Sequence, residues 1–243
     1  MQLTGLHHVT CVCTTAQRTL DYYRDLGFSL VKKTVNVDDP HSYHLYLGDQ
    51  RGAPGTLMSF FEWPRAEPGR LGRGTLASVG LETPTVTAES LEADPDGLAL
   101  RLYPGETVRL RDVEVIGNAA LYAGLFAPEA PLRFGEPVEE AALLGPGVTH
   151  HVAWRVASTD EQRAWFERLD EVGLRPSEPQ DRTYFQALSF RMPDGVLVEL
   201  ATDGPGFAVD EPREALGRRL ALPLWLEPER ATLERELAPL RLA

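Results

Sequence analysis

The 243-residue sequence predicts an α+β fold built from two similar units, each a strand, a helix and two or three further strands. Three observations carry this. A His-His pair occurs twice, as Gly5-Leu6-His7-His8-Val9-Thr10 and as Gly147-Val148-Thr149-His150-His151-Val152-Ala153. Each pair is followed by a helix-start signal, an aromatic pair and a closing glycine. Each unit then ends in a matching strand, Gly55-Thr56-Leu57-Met58-Ser59 and Gly195-Val196-Leu197-Val198-Glu199.

The first unit covers residues 1–63. After its His-His strand, Thr14-Thr15-Ala16-Gln17 fits a capping box, in which a hydroxyl and a Gln or Glu three residues later cover orphan amides. Tyr22-Tyr23 marks the helix, and Gly27-Phe28 ends it as a helix C-terminus prefers. Tyr43 to Leu47 reads as a strand. A Pro/Gly/Arg linker, 64–74, follows. Residues 75–127 are a shortened, degenerate centre, with strands expected at Leu98–Tyr103 and Val113–Ile116. Thr87 to Leu91 can make only a turn or so. A second linker, 128–147, is rich in Pro, Gly and Glu. The second unit, 148–203, repeats the plan: Ser158-Thr159-Asp160-Glu161 as the cap, Trp165-Phe166 in the helix, Gly173-Leu174 at its end, and Tyr184 to Leu188 as a strand. The tail, 204–243, contains a helix expected from Glu227 to about Leu240.

A net charge of -12 argues against a nucleic-acid partner, which needs a basic face. No apolar run approaches 18 residues, and the first residues lack a basic region followed by an apolar one, so a soluble cytoplasmic protein without a membrane partner is expected. Cys11 and Cys13 lie two apart on one strand, a spacing that does not suit a disulfide, and read as buried thiols. There is no Gly-x-Ser-x-Gly elbow, P-loop or paired Cys-x-x-Cys site. Gly69 to Gly74 lacks the strand and helix context of a dinucleotide loop.

Strand alternation puts His8, Thr10 and Val12 on one side and Val9, Cys11 and Cys13 on the other. The apolar set suits packing against the helix, so His8 and, by the repeat, His151 face a concavity. Glu199 sits inside an apolar strand, where an unpartnered carboxylate is expensive. A metal ion compensates it, as does an arginine such as Arg182 or Arg191. Two histidines and one carboxylate form a set that holds a divalent metal on one face. Ser59 stands where the second copy has Glu199, so only one half offers a carboxylate. On a regular strand His7 and His150 face away from the proposed ligands, as second-layer groups, substrate-facing groups or solvated strand starts. His44 shares a face with Tyr46, either lining the pocket or serving the core or surface. His41 reads as a loop residue.

At these residues the chain resembles the vicinal oxygen chelate superfamily, which includes glyoxalase I and extradiol dioxygenases. Within it, the chain is most similar to ring-cleaving dioxygenases acting on hydroquinones and related aromatics. The stretches that carry the resemblance are Gly5 to Thr10, Leu30-Val31-Lys32-Lys33-Thr34-Val35-Asn36, Tyr43-His44-Leu45-Tyr46 through Gly55-Thr56, Asp181-Arg182-Thr183-Tyr184-Phe185, Gly195 to Glu199, and Ala201 to Phe207. The resemblance implies tandem βαβββ units forming a metal-binding half-barrel. It implies Fe(II), or else Mn(II), on His8, His151 and Glu199. It suggests pocket roles for His7, His150 and Arg182, which are the expected catalytic residues, with His150 or His7 the candidate acid/base because imidazole titrates near neutral pH; Tyr184, His44 and Ser189 are expected to contact the substrate. The partners it implies are a small aromatic substrate and O2.

Two departures stand out. Relatives usually carry four such units, and here the two central ones are collapsed into 75–127. The family also commonly has a tyrosine where Ser189 stands. The leading expectation is an Fe(II)-dependent ring-cleaving dioxygenase. A glyoxalase-like lyase or isomerase is one alternative, opposed by Ser59. A non-catalytic protein that binds an aromatic ligand is the other, favoured by the short centre and Ser189. A homodimer that completes the shortened barrel is the assembly to test.

Overall fold

In a computed structural model, which describes residues 2–242, the first unit runs β1 (Leu6–Cys13), α1 (Ala16–Asp25), β2 (Ser29–Asn36), β3 (Asp39–Gly48) and β4 (Leu57–Glu62). The centre contributes β5 (Leu76–Thr83), β6 (Ser90–Ala93), β7 (Ala99–Pro104), β8 (Arg109–Ile116) and β9 (Leu132–Gly135). The second unit runs β10 (Thr149–Val156), α2 (Thr159–Glu171), β11 (Gln180–Asp181), β12 (Phe185–Arg191) and β13 (Leu197–Pro205), and the tail ends in α3 (Arg230–Glu236).

The two units join into one curled eight-stranded half-barrel, in the order β11-β12-β13-β10-β1-β4-β3-β2. At its centre β1 and β10 pair antiparallel, each flanked by a parallel strand of its own unit, β4 and β13. The register has a two-fold relation about Val9↔Val152: His8 faces Ala153, and Thr10 faces His151. The same relation holds for two register breaks. Between Leu6 and His8 the first strand carries an extra residue, His7, and opposite Thr10 and Cys11 the second strand carries one, His150. An extra residue in one strand of an antiparallel pair is a β-bulge, which interrupts the alternation of faces.

The centre is a five-stranded sheet, β6-β7-β5-β8-β9. Its pairing repeats that of the larger sheet: β5 and β8 antiparallel in the middle, β7 parallel to β5 and β9 parallel to β8. Among the described residues of this region no α-helix occurs; a 3-10 turn spans Ala119–Leu121. Strands were expected at Leu98–Tyr103 and Val113–Ile116, where β7 and the end of β8 lie, but β5 and β9 left no clear signal. β5 is buried on nearly every residue, so it does not alternate. It also contains Gly80, where a Cβ would come within 2.6 Å of an Asp112 carboxylate oxygen. β9 is a four-residue strand inside the span that reads as a linker.

The half-barrel has two different faces. On the convex side Val9, Cys11 and Cys13 pack with Leu20 and Tyr23 of α1, Trp165 and Leu169 of α2, and the Leu and Val residues of the central sheet. On the concave side a smaller cluster gathers Val31, Tyr46, Leu57, Ala153, Tyr184, Phe185 and Phe207.

The helix signals came out unevenly. α2 has the Ser158 cap and a variant of its box: Glu161 N donates to Ser158 Oγ at 3.1 Å, and Glu161 Oε2 accepts at 2.6 Å from Ala157 N, one residue before the cap. α1 starts at Thr15, not Thr14, with no side-chain cap. Glu62, at the end of β4, accepts from Ala16 N at 2.8 Å instead, and the Thr14 hydroxyl donates to Asp96. Both helices end on glycines with positive φ, Gly27 at 92° and Gly173 at 81°. The tail helix is shorter than its sequence pattern. Leu224–Glu229 is 3-10, because Pro228 has no amide hydrogen to give, and α3 occupies Arg230–Glu236.

The tail is fastened to the half-barrel by Lys32, whose side chain is fully buried. Lys32 Nζ donates to Asp210 Oδ1 at 2.6 Å and to Glu211, and lies 4.8 Å from the Tyr184 ring centroid. Phe207 stacks on Tyr184, with centroids 4.7 Å apart. The tail therefore forms one wall of the concavity.

Candidate metal centre

His8 on β1, His151 on β10 and Glu199 on β13 converge at the bottom of the concavity. The Nε2 atoms of the two histidines are 3.1 Å apart. Glu199 Oε2 is 3.7 Å from His8 Nε2 and 3.4 Å from His151 Nε2. The register makes this happen. Thr10 faces His151 across the β1–β10 pair, and Ala153, opposite His8, is paired on its other side with Glu199.

Three ligands at right angles, each about 2.1 Å from one ion, lie about 3 Å from each other. The observed separations, 3.1, 3.4 and 3.7 Å, run from that spacing to somewhat above it, close enough for one ion to reach all three. All three side chains are buried. His7 Nδ1 lies 2.9 Å from His8 Nδ1, so one of the two rings holds a proton between them. With that proton on His8 Nδ1, the His8 Nε2 turns a bare lone pair toward His151 and Glu199. A lone pair aimed at a second ring nitrogen and a carboxylate is the arrangement that a cation satisfies. The donor set fits a divalent transition metal.

The electrostatics point the same way. Burial lowers His8 well below its usual pKa, helped by His7 and His151. Burial, with Arg182, lowers His151 to about 3. Both imidazoles are neutral near pH 7, as ligands must be. Burial raises the Glu199 carboxyl above its ordinary range, opposed by the Arg182 guanidinium and the Ser189 hydroxyl.

The other expected residues fall into place around this centre. The bulges bring His7 and His150 beside the ligands, whereas alternation on a regular strand turned them away. His7 is buried against His8 and Phe185, with a pKa lowered by burial to about 4. His150 sets its Nδ1 2.8 Å from His151 Nδ1 and lines the cavity. Arg182 Nη2 is 4.0 Å from Glu199 Oε1. Arg191, the other expected partner, instead donates to the Gly195 carbonyl. Ser189 donates to Glu199 Oε1 at 3.1 Å, so its hydroxyl is directed at the carboxylate. His44 lines the cavity, with its Nε2 3.3 Å from Ser59 Oγ and its ring against Tyr46 and Phe61. Tyr184 lines it too, its hydroxyl donating to Asp210 at 3.2 Å. Ser59 also contacts Thr10, whose hydroxyl is 2.9 Å from His151 Nε2. His41 lies away from the site and pairs with Glu236.

The cavity has a volume of about 360 Å³. Phe61, Trp63, Tyr46, Tyr184 and Phe185 line it, with Val37, Leu222 and Trp225 toward the mouth. Trp225 is 61% exposed. Sequence reasoning missed Phe61, Tyr46, Asp210 and Trp225 as cavity residues and Lys32 as the anchor of the tail wall. Two carried a signal: Lys32 is one of two lysines in the chain, and Tyr46 shares a strand face with His44.

The fold and the centre together define a class. The chain belongs to the glyoxalase/bleomycin resistance protein/dioxygenase superfamily, whose family model matches residues 5–200. The chain is 32% identical to the "Putative ring-cleaving dioxygenase MhqA" of Bacillus subtilis (strain 168), over 99% of the chain and 100% of that protein. It is 28% identical to the "Chlorohydroquinone/hydroquinone 1,2-dioxygenase" of Sphingobium indicum, over 92% of each. A solved structure from Bacillus subtilis, likewise described as a putative dioxygenase, superposes with a TM-score of 0.91 at 27% identity, covering 100% of the chain and 99% of its own. A glyoxalase I variant from Zea mays shares the fold, with a TM-score of 0.61 at 15% identity over 82% of the chain and 92% of its own. No helix among the described residues is long and apolar enough to cross a membrane.

Proposed function

We propose that the protein is an Fe(II)-dependent ring-cleaving dioxygenase acting on a hydroquinone or catechol-like aromatic. The observation that carries this reading is the convergence of His8 Nε2, His151 Nε2 and Glu199 Oε2, 3.1 to 3.7 Å apart, under an aromatic-walled cavity. The names of the relatives supply the reaction class. Such a set holds Fe(II), with Mn(II) as the other candidate, on one face and leaves adjacent positions open. The ion would supply two things when bound: a lowered pKa for a ring hydroxyl, and a place for that oxygen beside O2.

The chain's own groups do the rest. Tyr184, Phe185 and Phe61 offer flat apolar walls to a ring and keep water from it. His150 lines the cavity with its Nδ1 turned to His151, so its Nε2 is the atom available to a substrate hydroxyl. Burial and His151 lower its pKa to about 4, so it is neutral near pH 7 and presents a lone pair or an N–H to a substrate hydroxyl. His7, sealed behind His8, orients that ligand. Arg182 and Ser189 hold the Glu199 carboxylate. A glyoxalase-like centre with a fourth ligand from the first unit is disfavoured by Ser59, whose hydroxyl is engaged with Thr10 and His44.

The test is oxygen uptake by protein reconstituted with Fe(II) under argon and then given O2 with a panel of hydroquinones and catechols. Metal-dependent uptake with loss of ring absorbance is expected. Iron-loaded protein that consumes no oxygen with any of them overturns the reading.

A further inference from the structure

The two-fold register extends beyond the metal ligands. On the second half, Ser189 of β12 stands directly opposite Glu199 of β13. On the first half, Tyr46 of β3 stands directly opposite Ser59 of β4, the residue at the position of Glu199. Tyr46 is therefore the counterpart of Ser189, two residues from where aligning Tyr43 with Tyr184 puts it. The Ser189 hydroxyl is engaged by Glu199.

Tyr46 differs in one respect that matters. Its ring is held from three sides, with centroids 4.2 Å from His44, 5.1 Å from Phe207 and 6.2 Å from Tyr184. It is 7% exposed and lines the cavity. Among the described residues its hydroxyl has no hydrogen-bond partner, yet it is not one of the sealed, unsatisfied polar atoms of the interior. The small part of Tyr46 that is open therefore includes its hydroxyl and faces the cavity. The other tyrosine of the wall, Tyr184, has its hydroxyl engaged by Asp210. Burial and the nearby Glu199 carboxylate keep the Tyr46 phenol protonated, so it is a donor. A fixed, desolvated donor without an acceptor is a group waiting for a ligand oxygen.

We propose that Tyr46 is a substrate-binding residue, whose hydroxyl donates a hydrogen bond to a hydroxyl oxygen of an aromatic diol in the His8–His151–Glu199 cavity. The assignment rests on the proposed function, since it needs an oxygen-bearing ring at that place. Tyr46 supplies the donor from the first unit, the half that has no carboxylate ligand.

The experiment is an anaerobic titration of Fe(II)-loaded protein with hydroquinone and with catechol, so that binding is read without turnover. Trp63 and Trp225 line the cavity, and their fluorescence reports occupancy. Tyr46→Phe keeps the ring and its packing and removes only the donor. Its iron content and unfolding midpoint should equal those of the wild type, with Kd for the better-bound diol raised about tenfold, as expected for one lost hydrogen bond to a polar group. Wild-type protein that binds a diol, with Tyr46→Phe binding it equally well, overturns the role of Tyr46 alone. Iron-loaded wild type that binds neither diol overturns the proposed function, and the Tyr46 assignment with it.

Discussion

The Nε2 atoms of His8 and His151 stand 3.1 Å apart, although 143 residues of chain separate them. Their strands cross at the centre of the half-barrel in a register that is two-fold about Val9 and Val152. Duplication thus places each histidine at the same point of its own half, and pairing brings the two points together.

That convergence makes each ligand indispensable. His151→Ala should fold, because a smaller side chain at the cavity floor leaves the convex core untouched. Its iron content after reconstitution and desalting should fall by more than about tenfold, the lower end of what even outer-layer groups contribute. Elemental analysis beside a circular dichroism spectrum checks this. Full iron content in the folded variant would remove His151 from the ligand set.

His7 touches the metal centre only through His8. His7→Leu removes the ring nitrogen that stands 2.9 Å from His8 Nδ1 and orients that ring. Metal affinity should weaken about 10- to 100-fold, as for other partners of ligating histidines. The competition of a coloured chelator for iron measures it, and an unchanged affinity would leave His7 as a packing residue.

Metal-free protein should lose stability in mild acid. Burial lowers the pKa values of His7 and His150 to about 4 and those of His44 and His151 to about 3, and His8 is lowered as well. The unfolded chain takes up these protons near the ordinary value of about 6.5, whereas the folded chain does not. Stability is therefore level above about pH 6.5 and falls as pH drops from there toward 3 to 4, by up to about 1.4 kcal/mol per histidine for each pH unit. Urea midpoints of the metal-free protein between pH 7.5 and 4.5 test this. A flat profile would contradict the buried, neutral state of these rings.

Lys32, itself buried, holds the tail through the buried Glu211 and the partly exposed Asp210. Lys32→Met removes the buried cation between Asp210 and Glu211, leaving Glu211 only the more distant Arg219, and should cost about 2–3 kcal/mol in unfolding free energy. Limited proteolysis should then cut first within residues 204–243, since the clamp joins that segment to β2. Unfolding and cleavage patterns equal to the wild type would show that Phe207 and the other tail contacts suffice.

Much of this protein was legible in its sequence. The repeated His-His pair, the strand alternation of His8, Thr10, Val9 and Cys11, and a glutamate inside an apolar strand were enough to single out three residues that the fold brings together. Such features are local, since period-two alternation and the burial cost of a carboxylate act within a few residues. The α2 cap and both C-terminal glycines were readable for the same reason.

What tertiary structure alone decided is of a different kind. A bulge is a property of two paired strands, so nothing within Gly5 to Thr10 shows that His7 is the extra residue and turns toward His8. The equivalence of Tyr46 and Ser189 follows from cross-strand register, and linear alignment missed it by two residues. The capping of α1 by Glu62, the clamp of Lys32 on Asp210 and Glu211, and the buried strand β5 each join residues distant in the chain. Sequence patterning records which face a residue seeks; which partner it meets there is set by pairing and packing between segments.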